Sequence, residues 1–291
     1  MTIKDVAEHL AVSWDIIKDI QKRYLTRHFS RPKLKRLKQI AIDEISIGKG
    51  HRYLTVVLDL RSGAVVFVGD GKSAAALQPF WQRLKASSAE VKAVSIDMSP
   101  AYIRALTDNL PQAAIVFDRF HIIKLFNEKL SKFRRALYHE IRSLKDKNII
   151  KGTRWLLLKN PDNLDESRSE PQRLEKALEV NKPLAAAYYM KEELRQFHNQ
   201  YDKKQAKAFL LNWIYRAGSS GVNMLRKFAR TLATHMEDIL AYYDYPISTG
   251  PLEGTNNKIK TMKRQAYGFR DQEFFKLKIM ALHTTRYALI G

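Results

Sequence analysis

The sequence contains no cysteine. That excludes a disulfide framework, thiolate zinc sites, iron–sulfur clusters and thiol nucleophiles, and it fits a reducing compartment. No run of about 18 apolar residues occurs, so no membrane span and no membrane partner are expected. The opening stretch MTIKDVAEHLAV carries acids where an export signal needs a basic and then an apolar segment, so no export is expected. Internal repeats and low-complexity segments are absent as well. Acidic residues are few: 30 Asp and Glu face 51 Lys and Arg, a formal net charge of +21 over 291 residues. At 45% hydrophobic and 10% aromatic, the chain is too apolar to be disordered. Its length allows one large domain or two smaller ones, each with a core. A basic excess points to a polyanion, most commonly nucleic acid. General solubility is the plainer reading, but here the charge is clustered.

Residues 1–38 read as two short helices and a basic linker. Ile3, Val6, Ala7 and Leu10 recur at helical spacing, AVS makes a turn, and Ser13 is placed to cap WDIIKDIQKRYL, where Ile16, Ile17 and Ile20 share a face. The spacing of Ala7, Leu10, Val12, Ser13 and Ile17 fits a helix-turn-helix, whose second helix enters the DNA major groove; a plain helical hairpin fits equally. Residues 21–38 hold Lys22, Arg23, Arg27, Arg31, Lys33, Lys35, Arg36 and Lys38 with no acid among them, a run suited to phosphate contact or to plain solvation.

From residue 39 the period changes. IAIDEISI, YLTVVLDL and AVVFVGDG are short and β-branched, separated by GKG and RSG, hence three antiparallel strands. SAAALQPFWQRLKA reads as a helix, VKAVSIDMS as a strand, PAYIRALTDNL as a helix with Pro100 near its start, and AAIVFDRF as a strand. Three meander strands followed by α, β, α, β describe an RNase H-like mixed α/β sheet flanked by helices, with right-handed crossovers in its second half. Residues 126–245 show helical period throughout, as an all-α block. The acids of 162–179 (Asp162, Asp165, Glu166, Glu170, Glu175, Glu179) read as a solvated face, and Trp155 and Trp213 as core, with base stacking the lesser alternative for the tryptophans. Residues 246–291 open with loop punctuation, then a helix from near Pro251 and a last helix, FFKLKIMALHTTRYAL.

Asp43 lies mid-strand in IAIDEIS and Asp97 at the end of the fourth strand in AVSIDMS, costly positions for an acid unless it is paired or ligated. In the expected sheet these two strands are neighbours, so the carboxylates converge. Two close carboxylates call for a counter-ion, and oxygen-only ligation suits Mg²⁺ or Mn²⁺. A single strand aspartate is more simply a hydrogen-bonded structural residue. Glu253, in STGPLEGTNNKIK, is the best third acid. It lies in a helix's first turn, where acids are common for dipole reasons, but Asn256, Asn257, Lys260 and Arg264 share its face, with Lys263 at the edge. Asp59 and Asp70 read as turn residues.

These pieces resemble the DDE transposases, specifically the bacterial ISL3 (ISL-three) insertion-sequence family. The resemblance runs through IAIDEISIGKGHRYLTVVLDL, VKAVSIDMSPAYIRAL, AAIVFDRFHIIK, RWLLLKN and STGPLEGTNNKIKTMKRQAYGFRD, in the family's order across residues 39–280. It implies an RNase H-like catalytic domain (39–125 and 246–291) interrupted by a helical insertion (126–245), behind a helix-turn-helix and linker (1–38). It further implies Asp43, Asp97 and Glu253 as catalytic carboxylates binding two Mg²⁺ or Mn²⁺ ions. Lys260, Lys263, Arg264 and Asn257 would contact DNA. Asp118 and His121, in FDRFH, match a family segment and are candidates for accessory roles; His121 equally suits a helix cap or a satisfied core site. Expected partners are double-stranded DNA, as element ends and target, and further copies of the chain on DNA, in a bacterial cytoplasm at the nucleoid. Members usually begin with a Cys-rich zinc module, so the resemblance implies a copy truncated at its N-terminus. A non-catalytic DNA-binding remnant acting as a repressor, or an RNase H-like structure-specific nuclease, are the alternatives.

Overall fold

The computed structural model describes residues 2–48 and 50–283. The chain divides into two compact units, one built from Met1–Asp118 and Ile247–Gly291, the other from Arg119–Pro246.

The first unit opens with α1 (Ile3–His9) and α2 (Trp14–Phe29). Ser13 caps α2 as expected, its Oγ accepting from the Ile16 N–H at 3.4 Å. The helix continues well beyond Leu25, so residues 21–29 of the expected linker are helical. Leu25 and Phe29, one turn apart, are buried in the main core, and that burial carries the helix onward. Residues 31–38 follow as a strap with a turn closed by the Leu37 amide on the Leu34 carbonyl at 3.0 Å, with Leu34 and Leu37 buried and Arg31, Lys33, Lys35 and Arg36 exposed.

The strands form where the β-branched runs place them: β1 (Gln39–Gly48), β2 (Arg52–Asp59), β3 (Val65–Asp70), β4 (Ala93–Ile96) and β5 (Ala114–Phe117). They make one sheet in the order β3-β2-β1-β4-β5, with β1 antiparallel to β2, β2 antiparallel to β3, and β1, β4 and β5 mutually parallel. The sheet is covered on both faces, which is why its strands read as nearly continuous apolar runs. The SAAALQPFWQRLKA segment is not one helix. A 3-10 turn (Ala74–Leu77) precedes α3 (Gln78–Ala86), because Pro79 lacks a donor and suits a helix start. Phe67 and Thr55 contact Phe80 and Tyr102 of α3 and α4 (Pro100–Asn109) on this face. Asp59 is the turn residue expected, accepting from the Arg61 and Ser62 amides and the Ser62 hydroxyl.

The second unit is helical among its described elements. It contains α5 (Arg119–Glu140), α6 (Leu144–Ile150), α7 (Arg154–Leu158), α8 (Glu170–Val180), α9 (Lys182–Leu194), α10 (Lys203–Ser219), α11 (Asn223–Thr234) and α12 (Met236–Leu240). Helical period runs through residues 126–245 without a break, but the helices do not. Ser143 caps a new helix after α5, and Asn181 with Pro183 restarts the chain between α8 and α9, the Asn181 side chain accepting from the Leu184 amide at 2.9 Å. Two other expectations are corrected. Glu170 is buried rather than solvated, held by Lys159 Nζ at 2.5 Å and the Asp165 amide at 2.9 Å. Trp155 is 63% exposed, with the Arg154 guanidinium over its ring, because the short α7 turns Leu156 and Leu157 inward instead. Trp213 is core, its indole N–H donating to the Met190 carbonyl at 2.8 Å. A fully buried lysine, Lys191, donates to the Leu157 carbonyl at the end of α7, and burial pulls its ammonium below the usual lysine range.

The chain returns to the first unit with α13 (Gly250–Gln265) and α14 (Gln272–Met280). Leu252, Ile259, Phe274, Phe275 and Ile279 join Leu25, Phe29, Ala41, Ile45, Leu54, Val56 and Leu58 in one apolar cluster. The expected last helix ends early in a 3-10 turn (Ala281–His283); its remainder lies outside the described residues. No helix among the described residues is long and apolar enough to cross a membrane.

The two tryptophans of the second unit should separate cleanly in denaturant. Trp213→Ala is expected to cost about 3–5 kcal/mol. Trp155→Ala should fall within about 0.5 kcal/mol of the parent. Urea unfolding of both variants measures this, and equal losses would contradict the burial assignment.

Candidate active site

Strand register decides where the acids fall. β1 pairs with β4 through Gln39↔Ala93, Ile40↔Val94 and Ala41↔Ser95. Asp43 and Asp97 are separated along the chain by the same interval as each of these pairs. They therefore sit at one level, each two residues beyond the last paired position. β4 pairs with β5 through Ala93↔Ala114 to Ile96↔Phe117, and the Asp118 amide continues the ladder to the Ile96 carbonyl at 3.2 Å. Asp118 thus occupies the same level on the next strand. Three aspartates form a row at one level of three adjacent parallel strands, Asp43 midway along β1 and Asp97 and Asp118 just past the carboxyl ends of β4 and β5, the end of a parallel sheet where ligands of open α/β folds bind.

Each member of the row is held differently. The Asp97 carboxylate accepts from the Ser99 amide at 3.0 Å, a local turn that delivers the chain to Pro100 and α4. Asp118 is buried at 4% exposure and accepts from the Thr249 amide at 2.8 Å, at the N-terminus of α13. A carboxylate suits that place, since the free amides and dipole of a helix start favour negative charge. Asp43 is half-buried and accepts from Asn256 Nδ2 at 2.9 Å.

Helix α13 is consequently fixed at both ends of its first half. Thr249 meets Asp118 beyond β5, and Asn256 meets Asp43 on β1. The seven intervening steps advance ~10 Å along a helix, and two strand spacings amount to ~9.5 Å, so the helix has the length to bridge from β5 to β1. Glu253, half-buried in the first turn, falls between the two anchors. Further along, Lys263 donates to the Ile47 carbonyl of β1. The other basic residues singled out on this helix, Lys260 and Arg264, are exposed, as is Asn257; Arg264 donates to the Thr261 hydroxyl at 3.1 Å.

On the opposite face of β1, Glu44 and the buried Tyr102 interact, and the Tyr102 hydroxyl lies 3.2 Å from Thr55 Oγ1. Burial pushes the Tyr102 phenol well above its ordinary range, with the Glu44 and Asp43 charges adding to the shift. His121 lies in the first turn of α5, half-buried, with Nε2 unpartnered. Sequence reasoning placed Asn256 and Asn257 together on the Glu253 face but gave a role, DNA contact, to Asn257 alone. The signal was available: Leu252, Thr255 and Ile259 set an apolar stripe on which Asn256 falls and Asn257 does not.

The donor set is all oxygen, and it fits a hard divalent cation. One structural detail supports that fit: beside Asp43, Asn256 Oδ1 is a buried acceptor with no donor among the described residues. Among the described residues, no three His, Asp or Glu side chains stand ready as one ligand group.

A family model described as a transposase, that of the ISL3 DDE group, matches residues 40–279. The transposase of insertion sequence element IS1001 from Bordetella parapertussis is 36% identical over 282 residues, covering 96% of this chain and 69% of the relative. The transposase of element IS1557 from Mycobacterium tuberculosis is 30% identical over 311 residues, covering 98% of this chain and 69% of the relative. Among solved structures, a chain of the Drosophila P element transposase strand transfer complex aligns with a TM-score of 0.42 at 11% identity, covering 91% of this chain and 85% of that one.

The Asp118 anchor is measurable. Asp118→Ala leaves the Thr249 amide without its acceptor and should cost about 1–3 kcal/mol. Asp118→Asn, which keeps an acceptor oxygen, should cost less. Urea unfolding distinguishes the two, and an alanine variant as stable as the parent would show that the bond does not hold α13.

Proposed function

The chain belongs to the ISL3 family of DDE transposases, and from that premise we propose that it cuts and joins double-stranded DNA at an RNase H-like site built on Asp43, Asp97 and Glu253. The observation that carries this reading is the shared level of Asp43 and Asp97 in the parallel register, with the Glu253 helix tied to both flanking strands. On this reading, residues 39–125 and 246–291 are the two parts of the catalytic domain, and 126–245 is a helical insertion between its second and third acids. Residues 1–38 are the DNA-binding front, a helix-turn-helix followed by the basic strap.

Asp43 and Asp97 would share two Mg²⁺ or Mn²⁺ ions and Glu253 would complete the second set. Bound there, such ions supply a nucleophilic oxygen at neutral pH and stabilise the leaving oxygen of an in-line displacement. The chain's own residues do the rest. The three carboxylates orient around the scissile phosphate, and no Ser or Tyr nucleophile is required. Lys260, Arg264 and Asn257 face outward from the same helix that carries Glu253, so they grip phosphates next to the cut. Arg23, Arg27, Arg31, Lys33, Lys35 and Arg36 are exposed and extend the grip along the duplex. Lys263, engaged with Ile47, contributes charge while also fixing the helix. Asp118 holds the start of that helix, and His121 follows it in the chain as an accessory group. Joining two element ends requires more than one copy of the chain in the active assembly.

Asp97→Asn and Asp43→Asn should each abolish strand cleavage and joining in Mg²⁺ while leaving folding and duplex binding intact; retained cleavage by either variant would remove the assignment. Mn²⁺ should raise the parent's thermal midpoint and not that of Asp43→Asn. Replacing Arg31, Lys33, Lys35 and Arg36 with Gln should flatten the salt dependence of duplex binding, by ~0.9 in the log–log slope for each phosphate that the side chains no longer neutralise. An unchanged slope would place the DNA elsewhere.

A further inference from the structure

Asn256 stands out on α13. It lies in the buried stripe between Leu252 and Ile259 and is 6% exposed. One end of its amide is used, Nδ2 donating to Asp43 Oδ2 at 2.9 Å. The other end is not: Oδ1 is buried and, among the described residues, accepts from no group. A buried acceptor without a donor costs about 1–3 kcal/mol. Leucine has a similar size and would avoid that cost on so apolar a stripe. Aspartate there would set a second carboxylate against Asp43. Lysine would neutralise Asp43 and compete with any cation. Asparagine alone among these donates to the carboxylate without discharging it and still presents an oxygen beside it. Glu253 lies one helical turn earlier, so the same turns of helix carry both groups towards the acid row.

We propose that Asn256 is a positioning residue of the ion site: Nδ2 fixes the orientation of the Asp43 carboxylate, and Oδ1 accepts a hydrogen bond from a water in the hydration shell of the bound divalent ion. This rests on the metal-dependent reading above and adds a residue to it. The acceptor left idle by the polypeptide acquires its donor when the ion arrives, which couples ion binding to the anchoring of α13. Partners of this kind, one step removed from the ion, typically change its affinity by about 10–100-fold when they are removed.

The test uses the full chain and Mn²⁺ alone, with free Mn²⁺ followed by electron paramagnetic resonance. Asn256→Leu should weaken Mn²⁺ binding by about 10–100-fold, in a chain that still unfolds cooperatively in chelator, whatever the lost bond to Asp43 does to the midpoint. Asn256→Ala, which fits wherever asparagine fits, guards against a packing failure of the leucine variant and should weaken binding in the same direction. The Mg²⁺ concentration for half-maximal cleavage should move with the Mn²⁺ constant, leaving the KM for DNA unchanged; a purely structural residue would alter stability in chelator and neither metal constant. Parent-like Mn²⁺ affinity in a folded Asn256 variant overturns the inference. Asp43→Asn run in parallel separates the two claims. If it loses Mn²⁺ while the Asn256 variants keep it, only this inference fails. If it binds as the parent does, or if the parent binds none, the ion-site reading fails and takes the inference with it.

Discussion

Parallel pairing of β1 with β4 and of β4 with β5 is the constraint on which the rest of the site depends. In a parallel ladder, residues at one level stand on the same side of the sheet at the strand spacing, and a slip of one position would turn a side chain to the other face. The pairing is set by apolar burial on both faces: Ile40, Ala41 and Ile42 on β1, Val94 and Ile96 on β4, and Val116 and Phe117 on β5 are all excluded from water. Hydrophobic burial thus specifies the polar row. The aspartates take their level from neighbours that carry no charge, Asp97 and Asp118 where β4 and β5 end and Asp43 midway along the longer β1.

The helix laid across that row is held by polar bonds at intervals of two turns. The Thr249 amide, Asn256 and Lys263 all face the sheet, meeting Asp118, Asp43 and the Ile47 carbonyl. Leu252 and Ile259 supply the adhesive surface between them. Apolar packing alone would tolerate sliding or rotation of α13, whereas directional bonds to fixed strand positions do not. A buried polar group is costly when unpaired and specific when paired, and here the specificity is directed at the placement of Glu253. The idle oxygen of Asn256 is the exception to that satisfaction, and it lies beside Asp43.

The excess positive charge is not spread evenly in its role. Part of it is consumed internally. Lys18 and Lys22 pair with Asp271, and Lys22 also with Glu273, joining α2 to the start of α14. The Phe274 amide, and then Lys22, hold the Asp271 carboxyl below its usual range. Lys38 pairs with Glu90 and Lys276 with Asp70. What remains unconsumed in the front half is the exposed run from Arg23 to Arg36, from the end of α2 into a strap in which Leu34 and Leu37 are buried. A strap pinned by its apolar residues presents its cations outward without the freedom of a loose linker, so ordering them against an anion would cost less entropy.

The sheet order, the strand positions and the neighbouring placement of Asp43 and Asp97 were legible in residue order, because β-branched runs, turn residues and two βα crossovers leave few topologies open. Helix boundaries were less so. Nothing local in residues 21–29 announces that Leu25 and Phe29 will be buried, and Pro79 and Asn181 interrupt helices whose period runs straight through them. Solvation was misjudged at Glu170 and Trp155, since composition cannot say which side of a short helix meets a neighbour. The order of its motifs carried the resemblance to the family, residue types and spacing singled out the acids proposed for the site, and the basic excess pointed to an anionic partner. Tertiary structure alone decided that Asp118 ties down the Glu253 helix and that Asn256, not Asn257, touches Asp43. Those contacts join positions more than a hundred residues apart, and their geometry comes from register and helix rotation, which only the packed core sets.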